Sequence, residues 1–170
     1  MKWVFIALGV IAFVVAVVAV AGAMLPVKHR ATRRARFEKP AEAIDSVISG
    51  PPDWRSDVKA FGALQDANGR KRWWEQDSQG QKITYELLEH TPTRYVTRIA
   101  DEKLPFGGTW TIETLPVSAT TSDVRVTEDG EVYNVIFRFV SRFVMGHTAT
   151  IDAYLQNLGA KLGEKPRIES

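Results

Sequence analysis

Between Trp3 and Val27 the chain runs for 25 positions without a charged residue, and this stretch constrains the fold more than any other feature. A helix over Trp3 to Leu25 is roughly 34 Å long at 1.5 Å per residue, enough to cross a hydrocarbon core of about 30 Å. No face of it is polar, which argues against a core helix of a water-soluble domain. Ala21-Gly22-Ala23 resembles a signal-peptidase site, with Lys2 as a charged leader. Against cleavage stand an apolar run longer than the usual leader core and five basic residues directly after the cut: Lys28, Arg30, Arg33, Arg34 and Arg36. The expectation is a single-pass membrane anchor over residues 1–27, with the lipid bilayer as partner of residues 3–25. With Lys2 alone on the other flank, the basic cluster puts the following domain on the cytoplasmic side.

Charge then excludes one function class. From Lys28 to Lys39 six Lys or Arg face Glu38 alone, whereas from Pro40 onward fifteen Lys or Arg oppose nineteen Asp or Glu. The basic balance therefore belongs to one juxtamembrane segment. A mildly acidic globular part does not neutralise phosphates, so no nucleic-acid partner is expected. A basic stretch beside a bilayer attracts anionic lipid instead. The chain has no cysteine, so thiol nucleophiles, disulfides and cysteine-based zinc sites are absent.

The rest reads as one α+β domain. Alternation from His29 to Phe37 predicts a first strand, which is followed by a short helix with Ala43, Ile44, Val47 and Ile48 on one face, ended by Gly50-Pro51-Pro52. Six strand-sized runs come next: Val58 to Leu64, Arg70 to Gln76, Lys82 to Glu89, Arg94 to Ala100, Thr109 to Leu115 and Val124 to Glu128. Turn residues such as Asn68-Gly69 separate them, and the short connections favour antiparallel hairpins. Finally Ile136, Val140, Phe143, His147, Ile151, Tyr154, Leu158 and Leu162 recur every three or four positions, which predicts a long helix covering the sheet, with Gly146 as a candidate kink.

Four local features bear on a family. They are Pro40-Ala41-Glu42-Ala43-Ile44 after the first strand, Asp53-Trp54, Phe106-Gly107-Gly108-Thr109-Trp110, and Thr127-Glu128-Asp129-Gly130 before the final helix. With the order of elements, they resemble the START-like superfamily of polyketide cyclase/dehydrase, lipid-transfer and Bet v 1-like proteins, over about residues 28–163. The resemblance implies a helix-grip fold, an antiparallel sheet wrapped around a long C-terminal helix, followed by a tail at 164–170. It implies a cavity for a hydrophobic small molecule or lipid, with no cofactor. The alternatives are a cyclase/dehydratase-type enzyme and a protein-interaction module similar to the chaperone-activating branch.

No nucleotide-binding, zinc-protease or serine-hydrolase motif occurs. With only His29, His90 and His147 in the chain, a metal site is not expected. His147 lies on the apolar stripe and Glu128 shares a strand face with Val124 and Val126, so both are candidates for acid/base chemistry. The structural alternatives, a buried hydrogen-bonded histidine and a capping carboxylate at the sheet edge, are the readings favoured for each residue taken alone. Expected ligand-binding residues are Trp54, Tyr85, Arg98, Phe106, Trp110, Phe143 and His147. Trp73 and Trp74 must face opposite sides of their strand. The Asp101 to Phe106 loop is expected to rim the cavity.

Overall fold

The computed structural model describes residues 2–169; Met1 and Ser170, the ends of the expected anchor and tail, lie outside the described residues. Helix α1, Lys2–Met24, meets the length and composition of a membrane span and is the candidate transmembrane helix. Strand β1, Lys28–Phe37, follows after three residues. Helix α2, Ala41–Ile48, opens after Pro40, whose fixed φ suits a helix start, and buries Ala41, Ile44 and Ile48. A 3₁₀ turn, Pro52–Trp54, leads into β2 (Ala60–Ala67), β3 (Arg70–Gln76), β4 (Lys82–Thr91), β5 (Arg94–Ile99), β6 (Phe106–Pro116) and β7 (Ser122–Val132).

These strands form one antiparallel sheet with β8, Ile168–Glu169, in the order β2-β3-β4-β5-β6-β7-β1-β8. The β2–β3 turn uses Asn68 at φ 54° and Gly69 at φ 72°, the positive dihedrals that a tight hairpin needs. Register shifts at Leu64/Ala67 and Leu87/Glu89 mark bulges, which bend strands and let the sheet curl. Residues 164–169 do more than trail, since β8 pairs with Arg34 and Ala35 of β1.

The C-terminal helix differs from its expected form. It consists of α3 (Val135–Val140), a π-helical segment (Ser141–Met145) and α4 (Ala149–Leu162), broken at Gly146. Asn134 starts α3 by accepting a hydrogen bond from the Phe137 N–H at 3.0 Å. At the break Gly146 takes φ 76° and ψ 146°, a conformation that side chains strongly disfavour. His147 therefore sits between helices, not on one. Only α4 packs on the core, where Ile151, Leu155 and Leu158 meet Phe37, Ile44, Val124 and Val126.

Candidate functional site: the cavity between sheet and helix

Alternation selects the inward side chains. Trp73 and Glu75 of β3, Ile83 and Tyr85 of β4, Tyr95, Thr97 and Ile99 of β5, and Phe106, Trp110 and Ile112 of β6 line one cavity of about 640 Å³. Trp54, Phe137, Met145, His147 and Tyr154 close it from the helical side. The volume and the aromatic lining suit a small-molecule site. Tyr154 holds the centre: Trp54 and Trp110 meet its ring edge-on, with centroids 5.2 and 5.5 Å away.

Two polar clusters interrupt the apolar wall. In the first, Arg55 donates to Glu75 Oε2 at 2.8 Å and to Asp57 Oδ2 at 2.5 Å, while the Trp73 indole N–H donates to Glu75 Oε1 at 2.9 Å. Burial acts against the Arg55 charge, but Glu75 and Asp57 outweigh it and hold the guanidinium firmly protonated. Burial, reinforced by the Glu75 charge, pushes the Tyr85 phenol upward. Tyr95 rises to about 12 for the same two reasons. This cluster is internally satisfied, so its role is to carry charge into the cavity wall without an unpaired group.

In the second cluster the ring of His147 stacks on His29, with centroids 4.0 Å apart and planes at 19°. His29 Nε2 lies 3.6 Å from Glu128 Oε1. The β1–β7 register produces this contact, because Ala31 is opposite Glu128 and His29 is opposite Gly130. Burial raises the Glu128 carboxyl to about 7, although the Trp110 side chain, its cross-strand neighbour, draws it back down. Burial lowers both histidines; His29 is further disfavoured as a cation by His147, and His147 by Arg142. Burial thus favours the neutral form of all three groups at this wall of the cavity. The described residues contain no group of three or more His, Cys, Asp or Glu arranged to hold a metal.

Of the residues singled out by sequence, Trp54, Tyr85, Phe106, Trp110, Glu128 and His147 line the cavity. Phe143 does not. It is exposed and packs its ring on Phe139, because the π segment turns it away from the stripe's direction. Arg98 reaches the cavity only at its border: it pairs with Glu86 in register, on the face opposite Tyr85 and Ile99, and donates outward to Glu86 Oε2 at 2.6 Å. Trp73 faces inward, whereas Trp74 faces out beneath the Lys82 ammonium at 4.2 Å. His29, Arg55, Glu75, Tyr95 and Tyr154 were not among the expected site residues. Glu75 shares the inward parity of Trp73, and that alternation was the available signal for it.

No protein-family model matches the chain, and no curated protein matches it significantly. Solved structures do. A START superfamily protein from Mycobacterium smegmatis superposes with TM-score 0.60 at 18% identity, covering 79% of this chain and 97% of its own. Norcoclaurine synthase from Thalictrum flavum gives 0.62 at 12% identity, with 81% of this chain and 88% of that one covered. The di-domain ARO/CYC protein BexL of the BE-7585A biosynthetic pathway gives 0.65 at 14% identity over 79% of this chain, which spans 46% of BexL's length. At such identities the likeness lies in architecture, and the eight-stranded antiparallel sheet closed by a C-terminal helix is the START-like, helix-grip fold.

Proposed function

We propose that this protein is a membrane-tethered START-like domain that binds a hydrophobic, lipid-like ligand in the cavity between sheet and helix. The observation that carries this reading is the cavity itself, about 640 Å³ with an aromatic wall against Tyr154. Apolar ligands gain from burial roughly in proportion to area, and the two polar clusters give such a ligand orientation. Trp54, Tyr85, Phe106 and Trp110 are the proposed contact residues, with His147 and Glu128 at the polar end. The tether is α1, with the domain on the cytoplasmic side, as supported by the Lys28 to Arg36 cluster.

Native mass spectrometry of the full chain extracted in detergent tests the ligand. The expected result is one retained apolar molecule per chain, lost on Thr97→Trp, which fills the cavity while circular dichroism stays unchanged. An empty wild-type cavity that takes up no apolar probe saturably would overturn the reading. For the tether, a cysteine replacing exposed Ala119 should react with an impermeant thiol reagent only after cells are opened. Labelling of intact cells would put the domain outside.

The second reading, an enzyme of the cyclase/dehydratase kind, is favoured by one observation: Glu128, His29 and His147 gather at one wall of the cavity. In that reading His147→Gln keeps ligand affinity while turnover falls by roughly 10² to 10⁴, the usual contribution of a positioned proton-transfer group. Product from neither wild type nor variant leaves the binder.

A further inference from the structure

Helix α1 is exposed along most of its length, but one side of its last turns is covered. Val18, Ala19 and Ala21 are half-buried and Gly22 is buried, and α3 is the element packed against α1. A Cβ at Gly22 would collide with the backbone carbonyl of Val135, so only glycine permits this approach. Arg138 fastens it. Its guanidinium donates to the carbonyl of Gly22 at 3.4 Å, which also accepts from the Leu25 N–H at 3.2 Å, and to the carbonyl of Leu25 at 3.0 Å, just past the C-terminus of α1. Residues 18–22 lie within about 9 Å of the end of α1 at 1.5 Å per residue. Where α1 spans the bilayer, this level is the boundary between acyl chains and headgroups.

The chain beyond α3 carries an apolar face outward from that contact. The position of a Gly22 Cβ also lies 3.6 Å from Phe139, whose ring packs on Phe143 at 4.9 Å. Phe143, Val144 and Met145 follow one another at 62%, 73% and 55% exposure. Three consecutive apolar side chains this open are costly in water and favourable in lipid. Exposed Arg142 stands among them as a cation suited to phosphate headgroups. The same segment walls the cavity, since Phe137, Ser141 and Met145 line it.

We propose that the Phe139 to Met145 face is a bilayer-docking surface, seated at the headgroup level of the membrane that α1 crosses, so that the segment walling the cavity touches lipid on its other side. The occupant is the phospholipid surface, because the patch is continuous with the covered end of α1. This inference rests on α1 being a membrane span, and its test keeps the two apart.

The chain has no cysteine, so single-cysteine variants at Val14, Val144 and Ala119 can each carry a polarity-sensitive dye in the full-length protein. The proteins are reconstituted into phosphatidylcholine/phosphatidylglycerol vesicles. Dyes at Val14 and Val144 should emit to the blue, resist aqueous iodide and be quenched by spin-labelled lipid, while the dye at Ala119 behaves as in water. A water-like Val144 beside a shielded Val14 overturns the docking surface and leaves the anchor standing. A water-like Val14 overturns both. Shielding of Val144 from iodide without quenching by spin-labelled lipid would mean protein contact, and it too would overturn the proposal.

Discussion

Burial raises both carboxyls of β7, yet they shift in opposite directions, because Asp123 has two cations beside it and Glu128 has none fixed in charge. Asp123 is buried between Arg36, which binds it through two nitrogens at 2.9 and 3.1 Å, and Arg34. Their hydrogen bonds hold it down to about 2. A depressed carboxyl stabilises the fold above its unfolded value near 3.8 and loses that contribution as pH falls through about 2. Both arginines are half-exposed, so solvent screening reduces the effect. Asp123→Asn should therefore cost about 1–2 kcal/mol at pH 7 in chemical denaturation, and little at pH 2. For Glu128 the sign reverses. Its folded value near 7 exceeds the unfolded one near 4.5, so folding takes up a proton and stability falls as pH rises through that window. Glu128→Gln should be more stable than wild type by about 1–3 kcal/mol at pH 8 and equal to it at pH 4. A constant difference across pH would mean that Glu128 is not buried as a neutral acid.

At the level of elements, the strands and the interruption at Gly146 were legible, but the π segment and the surroundings of each helical piece were not. The bounds of β3 match the strand-sized run Arg70 to Gln76, and β1 differs by one residue from the start of the alternating run His29 to Phe37, because a strand with one buried face writes that face into every second position. The apolar recurrence from Ile136 to Leu162 says which residues avoid water, yet not what each meets. In α3, which packs on α1, Ile136 is exposed; in the π segment Phe143 is exposed; and in α4 Ile151, Tyr154 and Leu158 meet the core. One recurrence thus served two surroundings. Gly146 separates them, and Gly146→Ala should cost about 1–3 kcal/mol through its positive φ, read as a lower melting temperature. Arg138→Ala should free the end of α1 from α3, seen as faster amide exchange at residues 18–25 with the sheet unchanged.

Across the whole molecule, inward direction was readable for Glu128 and His147, but their meeting was not, because it passes through His29. That histidine opens β1 directly after the apolar helix, where composition speaks of a membrane flank and only the β1–β7 register brings it into the cavity wall. The pairing of Arg55 with Glu75 likewise spans twenty residues and depends on the 3₁₀ turn reaching β3. These long-range closures also divide the chain energetically. Among the described residues the central core joins β1, α2, β6, β7 and α4 and contains no residue of α1, whereas α1 packs mainly on α3. A chain lacking residues 1–27 should then retain the cooperative unfolding of that core. It should lose two carbonyl partners of Arg138, which keeps those of Val132 at 3.0 Å and Tyr133 at 3.1 Å. Hydrogen exchange compared between full-length and shortened chains in the same detergent should accelerate between residues 135 and 147 and at Val132, whose N–H loses the Val27 carbonyl, and remain unchanged in the rest of the sheet. Acceleration throughout the sheet would make α1 part of the folding core. Unchanged exchange at 135–147 would mean that the domain holds α3 without it.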